Sequence, residues 1–283
     1  MPLSRRTFLA AAVPAATAPR FSFGLVADLQ YADQDPAGQR DYRRSIEKLR
    51  AAREGFARER LAFVAQLGDL VDGGLANLDR MLPEWNRLAP PRYHVLGNHD
   101  IAIDRPTLLA RLKLKRAYYS FTVRNWQFVV LDGTDPTVPA QTTLAGLRAR
   151  KEPNAQTWNG GLGQAQMTWL RRELDAARRQ GRRAILFCHF PVLPESCRPE
   201  HLLWNWREVL ALLDSSPAAA AWFNGHDHRG GYAVRAGLHH VTLAGVVEHE
   251  VRDSARVVDV FARRLVLRRE GESDGRELRL QDR

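Results

Sequence analysis

Five short apolar segments along the chain each end at a residue that can bind a metal ion or a phosphate. Each has the length and composition of a buried strand. The residues that follow these segments are Asp28, Asp69, Asn98, His189 and His226. In layered α/β proteins, ligands bind at the carboxyl ends of the strands. The pattern therefore predicts that the five strand ends meet and form one site.

Helical periodicity separates the first three of these segments, because apolar residues recur there every three to four positions. The predicted elements are, in chain order, 21–27 (strand), 41–59 (helix), 61–67 (strand), 75–88 (helix) and 92–96 (strand). Pro83 predicts a break or a restart within the second helix, since proline removes a helical hydrogen bond. The β-α-β-α-β order is typical of a layered α/β domain.

The second half of the chain is less regular. Alternating residues on either side of Arg124 and Asn125 predict a hairpin. Residues 134–163 form a polar stretch too long for a simple connection, of the kind that is often functional. Helices are predicted at 164–180 and 200–213, and antiparallel strands between 232 and 267. The sequence thus predicts one domain over residues 21–270 and a flexible charged tail at 271–283.

Composition changes this picture little. The 283 residues are enough for one large domain with its own core. No apolar stretch approaches the roughly 20 residues that span a bilayer, so no stable membrane anchor is predicted. The formal net charge of +10 comes mainly from arginines spread along the chain, which does not favour nucleic acid as a partner. The two cysteines, Cys188 and Cys197, predict no disulfide.

The first 20 residues have the composition of an export signal. Arg5 and Arg6 precede Phe8, and an alanine-rich stretch leads to a small-residue cleavage pattern that ends at Ala18. The segment resembles a twin-arginine signal, which exports proteins that are already folded. We therefore expect the twin-arginine export machinery as a partner and a periplasmic location. The alternative is a flexible basic terminus on a cytoplasmic protein.

The side chains at the predicted strand ends favour transition-metal ions. Asp69 has one carboxylate oxygen for each of two cations, so it could bridge metals ~3.5–4 Å apart. Asp72, three residues further on, is better placed to contact a metal-binding side chain than to bind a metal ion itself. Asn98 offers a neutral amide oxygen. The imidazoles come from His189, His226 and His228. Imidazole ligands favour Mn, Fe, Zn or Co over Mg or Ca.

Taken in order, the motifs around these residues resemble the calcineurin-like metallophosphoesterase superfamily. They are D-x-(H/Q), G-D-x-x-D, G-N-H-(D/E), an isolated His and G-H-x-H, and the likeness covers about residues 21–268. The resemblance implies an α/β fold, a four-layer α-β-β-α sandwich with mixed central sheets and a dinuclear metal site at the strand ends. It also implies that a water molecule activated by two metals is the nucleophile.

The same resemblance implies a role for each residue. The implied ligands are Asp28 and His228 for the first ion, Asp69 for both ions, and Asn98, His189 and His226 for the second. His99 is implied to protonate the leaving oxygen, and Asp100 is implied to orient His99.

Gln30 departs from the superfamily's usual pattern, which has a histidine at this position. Glutamine can ligate only through its amide oxygen, so Gln30 either binds the first metal weakly or only lines the site. The segment 28–33 is also similar to the opening motif of the manganese-dependent ADP-ribose/CDP-alcohol diphosphatases. Further similar segments are 118–121, 130–132, 158–163, 203–206, 225–232 and 239–243.

This resemblance predicts an enzyme that hydrolyses the diphosphate linkage of nucleotide-derived small molecules to a nucleoside monophosphate. The expected cofactors are two divalent ions, manganese first, with iron, zinc or cobalt as alternatives. Two other functions stay open: a broad phosphomonoesterase or phosphodiesterase that scavenges phosphate, and a non-catalytic metal-binding scaffold. The presence of both His99 and Asp69 argues against the scaffold.

Overall fold

Two six-stranded sheets lie face to face in the structure, a computed structural model that describes residues 18–281. The elements are β1 (Phe21–Val26), α1 (Ser45–Ala57), β2 (Leu61–Gln66), α2 (Leu75–Trp85), β3 (Arg92–His94), α3 (Arg105–Arg111), β4 (Tyr119–Val123), β5 (Trp126–Val130), α4 (Ala140–Ala149), α5 (Gln164–Arg179), β6 (Arg183–Phe187), α6 (Trp206–Asp214), β7 (Ala219–Asn224), β8 (Arg229–Arg235), β9 (Leu238–Ala244), α7 (Val251–Ser254), β10 (Arg256–Val260), β11 (Arg264–Arg268) and β12 (Arg276–Arg279).

Both sheets are mixed. The strand orders are β12-β11-β10-β1-β2-β3 and β4-β5-β6-β7-β9-β8. Strands β1, β2 and β3 are parallel to one another, as are β5, β6, β7 and β9, whereas the remaining pairs are antiparallel. The parallel strands place the residues that follow them at the carboxyl end of each sheet, where ligands bind in such folds.

Aromatic side chains fill the space between the sheets. Phe23 and Phe63 of the first sheet stack at 4.8 Å, and Phe63 meets Phe128 of the second sheet edge to face at 4.9 Å. Phe187 and Phe223 complete this cluster, and all five are fully buried. Because helices also cover the outer face of each sheet, the central strands read as continuous apolar runs.

The predicted four-layer α-β-β-α sandwich is confirmed. Helices α1, α2 and α3 pack on the first sheet, and helices α5 and α6 pack on the second. Within residues 18–281, no helix is long and apolar enough to cross a bilayer. Residues 1–17 of the predicted export signal lie outside the described residues.

Three of the predicted elements are wrong in detail. Pro83 does not break α2, because it lies in the last turn and the carbonyl that it leaves without a donor belongs to the exposed Asp79. The helix predicted at 200–213 begins only at Trp206, after a short 3-10 turn at Pro199–His201. The long stretch predicted as a loop contains α4, whose apolar pattern is weak because only Leu147 is buried.

The flexible tail predicted at 271–283 is also wrong for residues 276–280. Arg276–Arg279 forms β12, which pairs antiparallel with β11 at the edge of the first sheet. Leu278 and Leu280 pack into the core between the sheets. The domain therefore extends past the predicted boundary at residue 270.

Candidate metal centre

The five predicted strand ends meet at one edge of the sandwich. The side chains that follow β1, β2, β3, β6 and β7 are those of Asp28, Asp69, Asn98, His189 and His226. Asp28 and His189 are fully buried, and Asp69 nearly so. The ligand atoms of Asp69, His189 and His226 all lie within 4.8 Å of one another. The structure therefore brings the predicted side chains to one place.

The backbone turns sharply where these strands end. Positive φ angles occur at Asp28 (52°), Gln30 (43°), Asp69 (55°) and His226 (69°). Residues other than glycine seldom adopt this conformation, and functional sites often contain it. Gly68, just before Asp69, packs so closely on His189 that a Cβ atom would lie 2.3 Å from Nδ1 of the ring. The Gly-Asp pair thus leaves room for the ring and turns the carboxylate towards it.

One group of ligand atoms surrounds His189. Its Nε2 atom lies 3.2 Å from Oδ2 of Asp69 and 3.1 Å from Oδ1 of Asn98. Nδ1 of His226 lies 3.2 Å from the same nitrogen. Two imidazoles, a carboxylate and an amide oxygen form a mixed nitrogen and oxygen donor set that suits Mn, Fe, Zn or Co. These are the residues predicted for the second ion.

A second group of ligand atoms contacts the same Oδ2 atom of Asp69. Nε2 of Gln30 lies 3.1 Å from Oδ2 of Asp69 and 3.1 Å from Nε2 of His228. Nε2 of His228 is in turn 3.4 Å from Oδ1 of Asp28. These are the residues predicted for the first ion. Oδ2 of Asp69 belongs to both groups, whereas Oδ1 accepts a hydrogen bond from the main-chain N–H of His99 at 2.9 Å. The prediction of one oxygen for each ion is therefore wrong, and a single carboxylate oxygen is placed to bridge two ions.

The buried side-chain oxygen of Gln30 is consistent with a role as a metal ligand. Its side chain is almost fully buried, and its Oε1 atom has no hydrogen-bond partner among the described residues. A buried amide oxygen without a donor is costly unless a ligand satisfies it. A flip of the side-chain amide would exchange Oε1 with Nε2, which lies between Asp69 and His228. Oε1 could then face a cation.

The buried carboxylates around the site favour positive charge on the neighbouring histidines. Burial opposes protonation of His189, but Asp69 and Asp28 outweigh burial and raise its pKa to about 9. Burial opposes protonation of His228 as well, yet Asp28 and Glu248 raise its pKa to about 10. Metal ions displace such protons when they bind imidazoles. The donor set and its charge therefore fit two divalent cations.

Two residues that the sequence analysis did not assign to the site position the ligand histidines. Oε1 of Glu248 lies 2.7 Å from Nδ1 of His228, and Oδ1 of Asn159 lies 2.8 Å from Nε2 of His226. Such partners fix the orientation of a metal-binding imidazole and its tautomer. Glu248 gave no signal in the sequence, because only the tertiary fold brings it to His228. Asn159 lies in one of the segments similar to the diphosphatases, which was the available signal.

His99 lies beside the centre, with its side chain a quarter exposed. Its Nδ1 atom is 2.9 Å from Oδ1 of Asp72, and its Nε2 atom is 3.9 Å from Oδ2 of Asp69. Burial opposes protonation of the ring, but Asp72 and Asp69 outweigh it and raise the pKa of His99. The ring can thus keep a proton for donation.

The prediction that Asp100 orients His99 is wrong. Oδ1 of Asp100 accepts hydrogen bonds from the main-chain N–H groups of Leu70 and Val71, at 2.9 and 3.3 Å. Oδ2 accepts from those of Asp69 and Gly97, at 3.0 and 2.9 Å. Asp100 therefore joins the turn after β2 to the turn after β3. The residue that contacts the ring of His99 is Asp72.

Three arginines line the cleft in front of the metal centre, which encloses about 600 Å³. They are Arg40, Arg198 and Arg229. The carboxylate of Asp227 holds Arg198, since it accepts from the main-chain N–H and from the guanidinium at 2.7 Å each. Arg40 donates to Glu248 at 3.2 Å. Guanidinium groups in such a cleft would attract the phosphate oxygens of a substrate.

Comparison with known proteins agrees with this geometry. The profile of the calcineurin-like phosphoesterase family matches residues 21–230. A protein of Arabidopsis thaliana is 34% identical over 275 residues, which cover 83% of this chain and 88% of that protein. A protein of Xenopus tropicalis is 29% identical and covers 93% of this chain and 95% of its own length. Both are named manganese-dependent ADP-ribose/CDP-alcohol diphosphatase.

A solved structure is similar as well. The crystal structure of a dimetal phosphatase from Danio rerio superposes with a TM-score of 0.83 and 27% sequence identity. The match covers 93% of this chain and all of that one. Fold, sequence profile and arrangement of donor atoms therefore agree. The chain belongs to the calcineurin-like phosphoesterase family and is a hydrolase of the dimetal phosphoesterase type.

Proposed function

We propose that this enzyme hydrolyses the diphosphate linkage of nucleoside diphosphate-X compounds, such as ADP-ribose and CDP-alcohols, with manganese as its metal. The products would be a nucleoside monophosphate and a phosphorylated second moiety. The observation that supports this most is the extent of the match to relatives named for that activity. It covers 83% and 93% of the chain in the two relatives described above, well beyond the metal-binding motifs.

Two sets of residues at the metal centre would each bind one ion. Asp28, Gln30, Asp69 and His228 would hold one ion, and Asp69, Asn98, His189 and His226 would hold the other. When bound, two divalent ions polarise a phosphoryl group and lower the pKa of a water molecule to about 7, which supplies the nucleophile. Arg198 and Arg229 would hold oxygens of the second phosphate in the cleft.

His99 would be the general acid. Because Asp72 holds its Nδ1 atom, its Nε2 atom is left to donate a proton to the departing oxygen. The raised pKa of His99 favours the protonated ring that this step needs. Asp72 and Asp100 are positioning residues: the first orients the ring, and the second joins the two turns that bear Asp69 and Asn98.

The proposal is tested by hydrolysis with purified, metal-stripped protein of residues 20–283 to which manganese is added back. ADP-ribose and CDP-choline are compared with p-nitrophenyl phosphate and bis-p-nitrophenyl phosphate. We expect preference for the two diphosphates, with AMP or CMP as a product. A preference for the simple esters would keep the site but replace the proposed substrate class by the broad phosphoesterase. Metal binding without turnover of any substrate would indicate the scaffold.

We also propose, from the sequence motif alone, that the protein is exported by the twin-arginine route. Its residues Arg5 and Arg6 would be essential for recognition. The first 20 residues fused to a reporter should direct that reporter to the periplasm, and the double variant R5K/R6K should not. A reporter that stays in the cytoplasm with the native segment would contradict the proposal.

A further inference from the structure

A second cavity opens directly beside the metal centre. We call it the side pocket, and it encloses about 680 Å³. Asn98, His99 and Trp158 line both the side pocket and the cleft that contains the metal ligands. Its other apolar walls are Ile101, Ile103, Val138 and Trp204. A molecule with a phosphate at the metal centre could therefore extend past His99 into an apolar space.

Exposed large hydrophobic side chains of the described residues concentrate in the side pocket. Three large hydrophobic residues of the described part of the chain are exposed: Ile101 (48%), Trp158 (45%) and Val234 (48%). The first two line the side pocket, and Val234 lies on β8, away from it. Exposed apolar surface that is concentrated in one concave place marks a binding site more often than scattered single residues do.

The charged groups around the side pocket are already engaged. The guanidinium of Arg105 donates to Asp132 at 2.6 Å. Asp135 accepts hydrogen bonds from the main chain of Gly163 and from neighbouring side chains, and Asp104 caps the first turn of α3. The cleft has three arginines, whereas the side pocket has one arginine and two aspartates, so its walls suit an uncharged, flat group better than a second phosphate.

Trp158 is tied to the metal centre through the residue next to it. Asn159 bonds to His226 through Oδ1 and donates from Nδ2 to the carbonyl oxygens of Asn154 and Glu200, at 3.1 and 2.7 Å. The backbone at Trp158 is thus fixed relative to the ligand histidines. The indole attached there offers a flat aromatic surface beside the metal centre on which a planar group could stack.

We propose that the side pocket binds the nucleobase of the substrate, stacked on Trp158, while the diphosphate lies across the metal centre and the arginines of the cleft. This inference rests on the proposed function, since it requires a substrate with a nucleobase. A base is planar, uncharged and of the right chemistry for aromatic stacking, which tolerates both purines and pyrimidines. Trp158 is then a residue that determines specificity and takes no part in the chemical step.

The test compares two substrates that share the scissile linkage. ADP-ribose has a base, whereas P1,P2-dimethyl diphosphate has the same linkage without one. We expect Trp158→Ala to lower the ratio of kcat/KM for ADP-ribose to kcat/KM for the dimethyl compound by about 5-fold to 100-fold. The loss should be mainly in KM, because stacking contributes equally to the ground and transition states. Trp158→Phe should restore most of the ratio, and the exposed control Val234→Ala should leave it unchanged.

The outcomes separate this inference from the proposed function. If the parent enzyme hydrolyses ADP-ribose well and Trp158→Ala leaves the ratio unchanged, the inference is wrong and the proposed function stands. A loss confined to CDP-choline, with ADP-ribose unaffected, would overturn the nucleobase in favour of the choline group. If the parent enzyme prefers simple esters to both diphosphates, the proposed function fails and the inference fails with it.

Discussion

The metal centre and the side pocket lie next to each other but are built in different ways. Every predicted metal ligand lies in a short turn, two to four residues after the end of a parallel strand. The side pocket is formed instead by the segment after β3 and by the long segment between β5 and α5. The chemistry is thus attached to the most constrained part of the fold, and substrate contacts are attached to parts that could vary without disturbing it.

The largest effect is expected at the carboxylate shared by both groups of ligand atoms. Asp69→Asn replaces a charged ligand oxygen with a neutral amide, and we expect kcat/KM for ADP-ribose to fall by at least about 10³-fold. The exposed Asp79→Asn on α2 is the matched control. Activity within about tenfold of the parent enzyme would exclude Asp69 as a bridging ligand.

The next largest effect should depend on the leaving group. His99→Ala should lower kcat for ADP-ribose by about 10²-fold to 10⁴-fold, because the departing oxygen loses its proton donor. Among simple diesters, the loss should be larger for diphenyl phosphate than for bis-p-nitrophenyl phosphate, since phenolate is the more basic leaving group and depends more on a proton. Equal losses on the two diesters would show that His99 acts in binding and not as the acid.

Asn159 belongs to both regions and so tests how separate they are. Asn159→Ala removes the hydrogen bond to His226, and we expect manganese affinity to fall by about 10-fold to 100-fold. Manganese titration monitored by calorimetry measures this, with the half-buried Gln156→Ala in the same segment as the control. Unchanged affinity would mean that the segment does not support the metal centre.

The smallest effect concerns pH. Asp72 raises the pKa of His99, and the protonated ring is the active form, so the descending limb of kcat at high pH reports this group. Asp72→Asn removes the negative charge, which lowers the pKa of His99 and moves that limb to lower pH. A pH–rate profile measures the shift, with the exposed Asp33→Asn as a control. A limb that does not move would assign the raised pKa to another group.

The sequence predicted the metal centre better than its surroundings. Strand ends such as the one before Asp69 could be located, because a buried parallel strand leaves a continuous apolar run followed by a polar residue. The role of Asp100 could not be predicted from the chain alone. Its carboxylate bonds to the main chain of Gly97, three residues away, and also to main-chain groups about thirty positions away. Only the pairing of β2 with β3 brings those distant groups near.

Elements with a weak apolar pattern were missed for a related reason. Helix α4 buries only Leu147, so its period is not visible against the polar residues around it. Strand β12 has a charged residue at most positions and buries only Leu278. Its pairing with β11 depends on the edge of a sheet that the local sequence does not describe.

The two groups of ligand atoms have one more consequence, for the stability of the fold. Asp28 and Asp69 follow strands of the first sheet, whereas His189, His226 and His228 follow strands of the second. Each ion would therefore join both sheets and act as a cross-link between the halves of the sandwich. A ligand that binds only the native state stabilises it in proportion to the logarithm of its concentration. The resistance of this protein to unfolding should then rise with the supply of free manganese.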